Sequence, residues 1–327
     1  MTLRTRVTEM LGIEHPIVMG GMGSGATSPR LVSAVGEAGG LGVLGVSRHR
    51  PERVKALADE IRAAGDRPFG LNLLLFLSTD ENIEAVLAQR PAVFSSAWAW
   101  PDQDLKAVFD RAHDAGALVM HQVASEAEAS QAAAAGADLV VAQGSEGGGH
   151  VGTVGTLVLV PMVVRAVEPI PVLAAGGIAT GAQIAATLLL GADGVLMGTR
   201  FLATEEAPWP PSFKQAILAS NGHDTQLTEI PDIARATVWP GAFDRARRNR
   251  LIEEWAGREN ELRRNRSRVA EAMARATRED DASYGELNFG QAAGLIDAVE
   301  PCSELVPRLS KEAEDLLAAA VSRPRVT

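Results

Sequence analysis

Cysteine is almost absent. Cys302 is the single one in 327 residues, which excludes a disulfide framework and any cysteine-built metal site. Long apolar runs are missing too. No stretch approaches the ~20 residues a membrane-spanning helix needs; the strongest, TLVLVPMVV from Thr156, is interrupted by Pro161 and runs into Arg165. The N-terminal MTLRTRVTEML lacks an apolar run of signal-peptide length, so a soluble, cytoplasmic protein is expected, with no membrane partner. Positive charge is in deficit: 31 Lys and Arg against 41 Asp and Glu give a formal charge of −10. A nucleic-acid surface needs clustered cations, so no nucleic-acid partner is expected. Neither H-E-x-x-H nor a ladder of carboxylates is present, so no metal is expected, and there is no G-x-S-x-G elbow or Walker loop. What remains is a globular composition, 46% hydrophobic and 22% charged, which can fill a large core without staples.

Short apolar runs recur along the first two thirds of the chain. They start near Ile17, Gly42, Gly70, Val93, Leu118, Leu139, Val172 and Gly194, at steps of about 25 residues, the length of one strand, one helix and two loops. The runs do not alternate apolar with polar, as expected of parallel strands covered on both faces. Helix signals lie between them. Thr27-Ser28 precedes Pro29, Ser125 and Glu128 form a capping-box pattern, and Gly65, Gly116, Gly136 and Gly191 follow helical stretches. Eight such units predict an α/β protein of the (β/α)8 TIM-barrel type. An open doubly wound sheet is the alternative that strand counting leaves standing. After Thr204 no strand runs are evident, and residues 223–287 are polar and Arg-rich with interleaved acids. The expected organisation is a barrel over 1–222, an inserted small helical domain over 223–287, and a return to the barrel over 288–327.

Barrel sites lie at the C-terminal ends of the strands, so glycines there are the informative ones. The first set is Gly20, Gly21 and Met22, within Met19-Gly-Gly-Met-Gly-Ser-Gly-Ala26. It holds a literal G-x-G-x-x-A, but strand 2 ends in Gly45-Val-Ser-Arg48 where a dinucleotide fold needs a carboxylate. A glycine loop allowing close backbone approach to a flat ring is the preferred reading. The second set, Gly144-Ser-Glu-Gly-Gly-Gly-His-Val-Gly152, carries His150 behind Gly148 and Gly149. A histidine titrates near neutral pH, so this one is read as a catalytic acid or base rather than a hydrogen-bonded surface residue. The third and fourth sets, Gly176-Gly177 and Gly198-Thr199, follow strands 7 and 8, where barrel enzymes hold phosphate on backbone amides. One phosphate cradle plus room for a planar ring indicates a mononucleotide, with FMN the expected cofactor. Asn72, His121, Gln122 and Gln143 are polar positions in or at the ends of apolar strands, read either as links between strands or as flavin contacts.

These residues resemble the nitronate monooxygenase family, formerly called 2-nitropropane dioxygenases. The resemblance rests on Glu14-His-Pro-Ile-Val-Met-Gly-Gly-Met22, Ala38-Gly-Gly-Leu41, Arg67-Pro-Phe-Gly-Leu-Asn-Leu73, the Gly144–Gly152 loop, Ala175-Gly-Gly177, the stretch Leu190–Ala203 and Gly290-Gln-Ala-Ala-Gly-Leu-Ile296. It implies a flavin-dependent barrel with an inserted helical domain, in a family that also holds FMN-dependent enoyl-acyl-carrier-protein reductases and NADH:quinone reductases. By position it puts Gly20, Gly21 and Met22 at the flavin ring, Asn72 on FMN, Gly176, Gly177, Gly198 and Thr199 on its phosphate, and His150 as the catalytic residue. The chain departs from the family pattern in one added glycine before His150, in Gln122 where relatives often carry Lys, and in Met19 where Gln is common.

The expected activity is oxidation of an alkyl nitronate or nitroalkane by FMN and O2, giving a carbonyl compound and nitrite. The alternative keeps FMN but takes electrons from NAD(P)H and delivers them to a quinone or an enoyl thioester. A non-enzymatic flavin sensor, with the Arg-rich helices as a partner surface, is a third reading. The partner expected in either enzymatic case is a small-molecule substrate, and a homo-oligomer is compatible with the sequence.

Overall fold

A computed structural model of the chain describes residues 3–322. The strands stand where the apolar runs do. They are β1 (Ile17–Met19), β2 (Leu41–Gly45), β3 (Phe69–Leu74), β4 (Val93–Ala97), β5 (Leu118–Val123) and β6 (Leu139–Gln143), then a short β7 (Gly149–Val151) inside the glycine loop, then β8 (Val172–Ala175) and β9 (Gly194–Met197). All but β7 form one closed barrel in the order β1–β2–β3–β4–β5–β6–β8–β9, and β9 returns to β1 in parallel through Ile17↔Val195 and Met19↔Met197. This closure rules out the open sheet, which would leave β1 or β9 at an edge.

Alternation along each strand divides the core. Val18, Val43, Val93, Met120, Val141 and Leu173 fill the barrel interior, while Ile17, Leu44, Leu71, Phe94, Val119 and Val140 face the helical ring. The helix Arg6–Leu11 adds Val7 and Leu11 to the interior cluster, and the Arg6 guanidinium donates to both oxygens of Asp193 at 2.7 Å. That plug shuts the face at the N-terminal ends of the strands. The C-terminal ends are left to the loops that build a site.

The expected caps form, with one change. Ser28 Oγ accepts from Leu31 N at 3.3 Å, and Ser125 Oγ accepts from Glu128 N at 3.2 Å. The reciprocal arm of the Ser125 box goes one residue further back, where Glu128 accepts from Ala124 N at 2.7 Å.

Beyond the short helix Thr199–Leu202 the chain leaves the barrel. The excursion contains helices Pro211–Leu218, Ile230–Arg235, Arg250–Trp255 and Glu259–Arg278, and it ends in the final helix Cys302–Ser322. It is not purely helical, as the sequence had suggested. Strands β10 (Thr225–Thr228) and β11 (Phe243–Arg247) pair antiparallel, and β11 also pairs with β7. Their sequences, TQLT and FDRAR, are short and polar because they form a small separate sheet and lack the two apolar coverings of a barrel strand. The Arg-rich helix is amphipathic: Leu262, Val269 and Met273 are buried in a cluster with Ile230, Ala246 and Trp255.

The final helix docks on the helix Gly181–Leu189 at a point where no side chain fits. A Cβ on Gly181 would stand 2.3 Å from Glu312 Cβ and 2.8 Å from the Leu309 carbonyl oxygen. Gly181→Ala is therefore expected to lower stability by about 1–3 kcal/mol through overpacking. Urea unfolding of the two proteins measures it, and an unchanged midpoint would show that the helices do not approach this closely.

Candidate active site

The glycine sets lie far apart in sequence but meet at one barrel mouth. A Cβ on Gly176 would strike the Gly144 carbonyl oxygen at 2.6 Å, and one on Gly177 would strike Glu146 Cβ at 2.9 Å. The loops after β6 and β8 are thus in direct contact. Gly148 lies against Phe289 and Gly290 of the returning chain, and the Gly290 N–H donates to Thr199 Oγ1 at 2.9 Å. The Met22 sulfur lies 3.3 Å from where a Gly198 Cβ would be, which brings the loop after β1 to the loop after β9.

Gly176 and Gly177 have φ of +93° and +74°, a left-handed conformation that glycine adopts without steric cost. The backbone N–H groups of Gly176, Gly177 and Gly198 have no acceptor among the described residues. β8 and β9 are neighbours in the barrel, so these unused donors stand side by side. Thr199 Oγ1 spends an acceptor site on Gly290 and keeps its own proton to donate. Donors without acceptors, on turns too tight for a Cβ, fit a terminal phosphate such as that of FMN.

Gly20 and Gly21 have a different local reason. A Cβ on Gly20 would meet Leu196 at 2.8 Å, and one on Gly21 would meet Asn72 Cβ at 2.4 Å. Their missing side chains make room for barrel residues. Asn72 Nδ2 donates to Ser95 Oγ at 2.9 Å, and Gln122 Nε2 donates to Gln143 Oε1 at 2.9 Å, so each of these polar strand residues links neighbouring strands. His121 bonds Ser96 Oγ through Nδ1 at 2.8 Å and packs on Phe109 of the outer helical layer. Burial pushes its pKa down to about 4, so it is a neutral core residue.

His150 is carried on β7. Its loop is fixed from several sides: the buried Arg245 donates through Nε to the Ser145 carbonyl at 2.7 Å, and the Glu146 carboxylate accepts from Thr156 N at 2.8 Å and Thr156 Oγ1 at 2.9 Å. The imidazole Nε2 lies 2.9 Å from Asp232 Oδ2, and both side chains are only 10% exposed. The indole of Trp239 lies flat on the imidazole, with centroids 3.3 Å apart and planes 11° from parallel. Trp239 also touches Phe76, just after β3, at 4.6 Å and Trp98, just after β4, at 6.2 Å. Phe76 in turn meets Trp100 at 5.9 Å. An aromatic wall therefore runs from His150 to the opposite side of the mouth.

Neither Asp232 nor this wall was foreseen from the sequence. A signal existed: Trp98, Trp100 and Trp239 are three of only five tryptophans in the chain, and tryptophan gathered away from the core marks a contact surface.

A family model for nitronate monooxygenase matches residues 4–85 and 77–312. The chain belongs to that family, and it is an oxidoreductase. A Mycobacterium tuberculosis protein named (3aS,4S,5R,7aS)-5-hydroxy-7a-methyl-1-oxo-octahydro-1H-indene-4-carboxyl-CoA dehydrogenase is 33% identical, over 96% of this chain and 97% of its own. FabK from Thermotoga maritima superposes with a TM-score of 0.87 at 35% identity, covering 98% of this chain and 99% of that one. The nitroalkane oxidase of Streptomyces ansochromogenes superposes with a TM-score of 0.83 at 30% identity, covering 97% and 99%. Among the described residues no group of three or more His, Cys, Asp or Glu could hold a metal ion, and no helix is long and apolar enough to cross a membrane.

Behind His150 stands a buried carboxyl. Asp244 lies opposite His150 in the β7–β11 ladder and is fully buried, and neither of its oxygens has a hydrogen bond among the described residues. Burial, followed by the charges of Glu286 and Asp232, pushes its pKa well above the usual carboxylate range. The folded state thus holds a proton that the unfolded chain has released, and stability falls as pH rises from about 4 towards the folded pKa. Asp244→Asn removes that cost. The variant should melt at a higher temperature than the parent at neutral pH, with the gain vanishing near about pH 4; a constant difference across the range would contradict a protonated Asp244.

Proposed function

We propose that the protein binds FMN and oxidises an alkyl nitronate, or its nitroalkane, with O2 to a carbonyl compound and nitrite. The observation that carries this is the meeting, at one barrel mouth, of unused backbone donors after β8 and β9 with an imidazole on the loop after β6. The amides of Gly176, Gly177 and Gly198 and the hydroxyl of Thr199 are the phosphate ligands in this reading. In the same reading Gly20, Gly21, Met22, Asn72, Gln122, Gln143, Gly148 and Gly149 would be the residues on the ring side. Bound FMN supplies the electron acceptor, which O2 turns over.

His150 does the proton work. A nitro group acidifies the adjacent carbon, and the imidazole can take that proton from the neutral nitroalkane. When the substrate arrives as the nitronate anion, the protonated ring instead holds it by charge and hydrogen bond. The aromatic wall of Phe76, Trp98 and Trp239 offers an apolar face to the alkyl group and displaces water from it.

A second reading has a specific observation in its favour. The Mycobacterium relative, matched over nearly the whole of both chains, is named for a carboxyl-CoA substrate. A thioester acidifies its α-carbon as a nitro group does, so the same histidine serves. In that case NAD(P)H or the thioester itself exchanges electrons with the flavin.

Anaerobic mixing separates the two. Ethyl nitronate should bleach the bound flavin in the absence of O2, while NADH and NADPH should leave it oxidised; rapid bleaching by a pyridine nucleotide would move the assignment to the second reading. His150→Ala should retain bound FMN and lose about 10²–10⁴ in kcat/KM, the usual size of an acid–base contribution. Gly177→Ala forces a side chain into left-handed backbone against Glu146, at a cost of about 1–2 kcal/mol, and should weaken FMN binding by about tenfold in an equilibrium titration of the flavin-free protein.

A further inference from the structure

We propose that Asp232 is the positioning residue for His150, and that Nδ1 is the ring nitrogen that exchanges a proton with substrate. The inference rests on the reading of His150 as the acid–base group. It adds a residue 82 positions further along the chain, and it specifies which nitrogen works.

The geometry leaves the imidazole little freedom. A carboxylate only accepts, so the 2.9 Å contact from Nε2 to Asp232 Oδ2 fixes the proton on Nε2. The other oxygen of Asp232 accepts from Trp239 Nε1 at 2.9 Å. Both oxygens therefore hold a ring, and the two rings lie face to face at 3.3 Å. Tilting the imidazole would break the Asp232 bond and the stack, and flipping it in its plane would break the Asp232 bond. Nδ1 is the nitrogen left over. It has no hydrogen-bond partner among the described residues and is not sealed from solvent. With its lone pair exposed it can take a proton, and Asp232 stabilises the imidazolium that forms.

The surrounding charges single out Asp232. Three carboxyls lie behind the imidazole: Asp232, Asp244 and Glu286. Glu286 forms an ion pair with Arg235. Asp244 is sealed from water without a hydrogen bond, which favours its neutral form. Asp232 forms no ion pair with Lys or Arg among the described residues, and it lies directly against the ring that gains a positive charge during turnover.

The first test needs no substrate. Nitrogen-15 spectra of histidine-labelled enzyme, assigned with His150→Ala, report the tautomer at neutral pH. The proposal requires the Nε2–H form; an Nδ1–H form overturns it. The second test is kinetic. Asp232→Asn in the FMN-loaded enzyme should lower kcat by about 10²–10⁴-fold while KM moves by less than about 3-fold. The same variant should lose the single-tautomer spectrum, and Asp232→Glu should recover part of kcat. Retention of kcat in Asp232→Asn, or equal loss in the Asn and Glu variants, overturns the positioning role. A His150→Ala enzyme with full turnover would instead defeat the acid–base reading, whatever the spectra show.

Discussion

The site depends on one small ladder, the antiparallel pairing of Gly149–Val151 with Phe243–Arg247. A run of glycines has no side chains to lock it and loses more backbone entropy on ordering than any other sequence. Three paired residues, Val151 with Phe243, His150 with Asp244 and Gly149 with Arg245, turn such a run into a strand with a defined face. The guanidinium of Arg245 then reaches back to the Ser145 carbonyl, and Gln291 N binds the Glu146 carbonyl at 2.9 Å. The histidine is thus aimed by residues that lie outside the barrel and about a hundred positions later in the chain. Without the ladder, the Asp232 and Trp239 contacts would have no fixed ring to hold.

Labour is divided between the two parts of the fold. Around the proposed phosphate cradle, the barrel supplies peptide N–H donors and the Thr199 hydroxyl, while the amides of Asn72, Gln122 and Gln143 link neighbouring strands. The excursion supplies the ionisable groups that surround His150, namely Asp232, Asp244, Glu286 and Arg235, together with the indole of Trp239.

The sequence revealed the barrel because its strands are doubly covered. Each must be apolar throughout, and each is bounded by turn residues, so runs such as GLNLLL and LVVA stand out. The glycine loops were legible for the same reason that they are tight: no other residue meets the backbone demand at Gly176 and Gly177. β10 and β11 were invisible, since TQLT and FDRAR carry neither long apolar content nor strict alternation. Asp232 and Trp239 were missed because local pattern cannot register a contact made across eighty residues. Gly20 and Gly21 show the opposite difficulty. Their glycines were read as a place for a ligand to approach, whereas the absent side chains first make room for Leu196 and Asn72.

The two ends of the excursion are tied together. Thr204 and Glu300 form an isolated parallel bridge, and Glu205 N binds the Glu300 carbonyl at 3.2 Å. Once the ends of a loop are pinned, the entropy of closing it grows only slowly with length, by about 0.6 kcal/mol for each doubling. Evolution can therefore lengthen, shorten or exchange this segment with little penalty to the barrel beneath. A lineage that kept the glycine turns and traded the segment between residues 205 and 299 could acquire new chemistry on an inherited flavin platform.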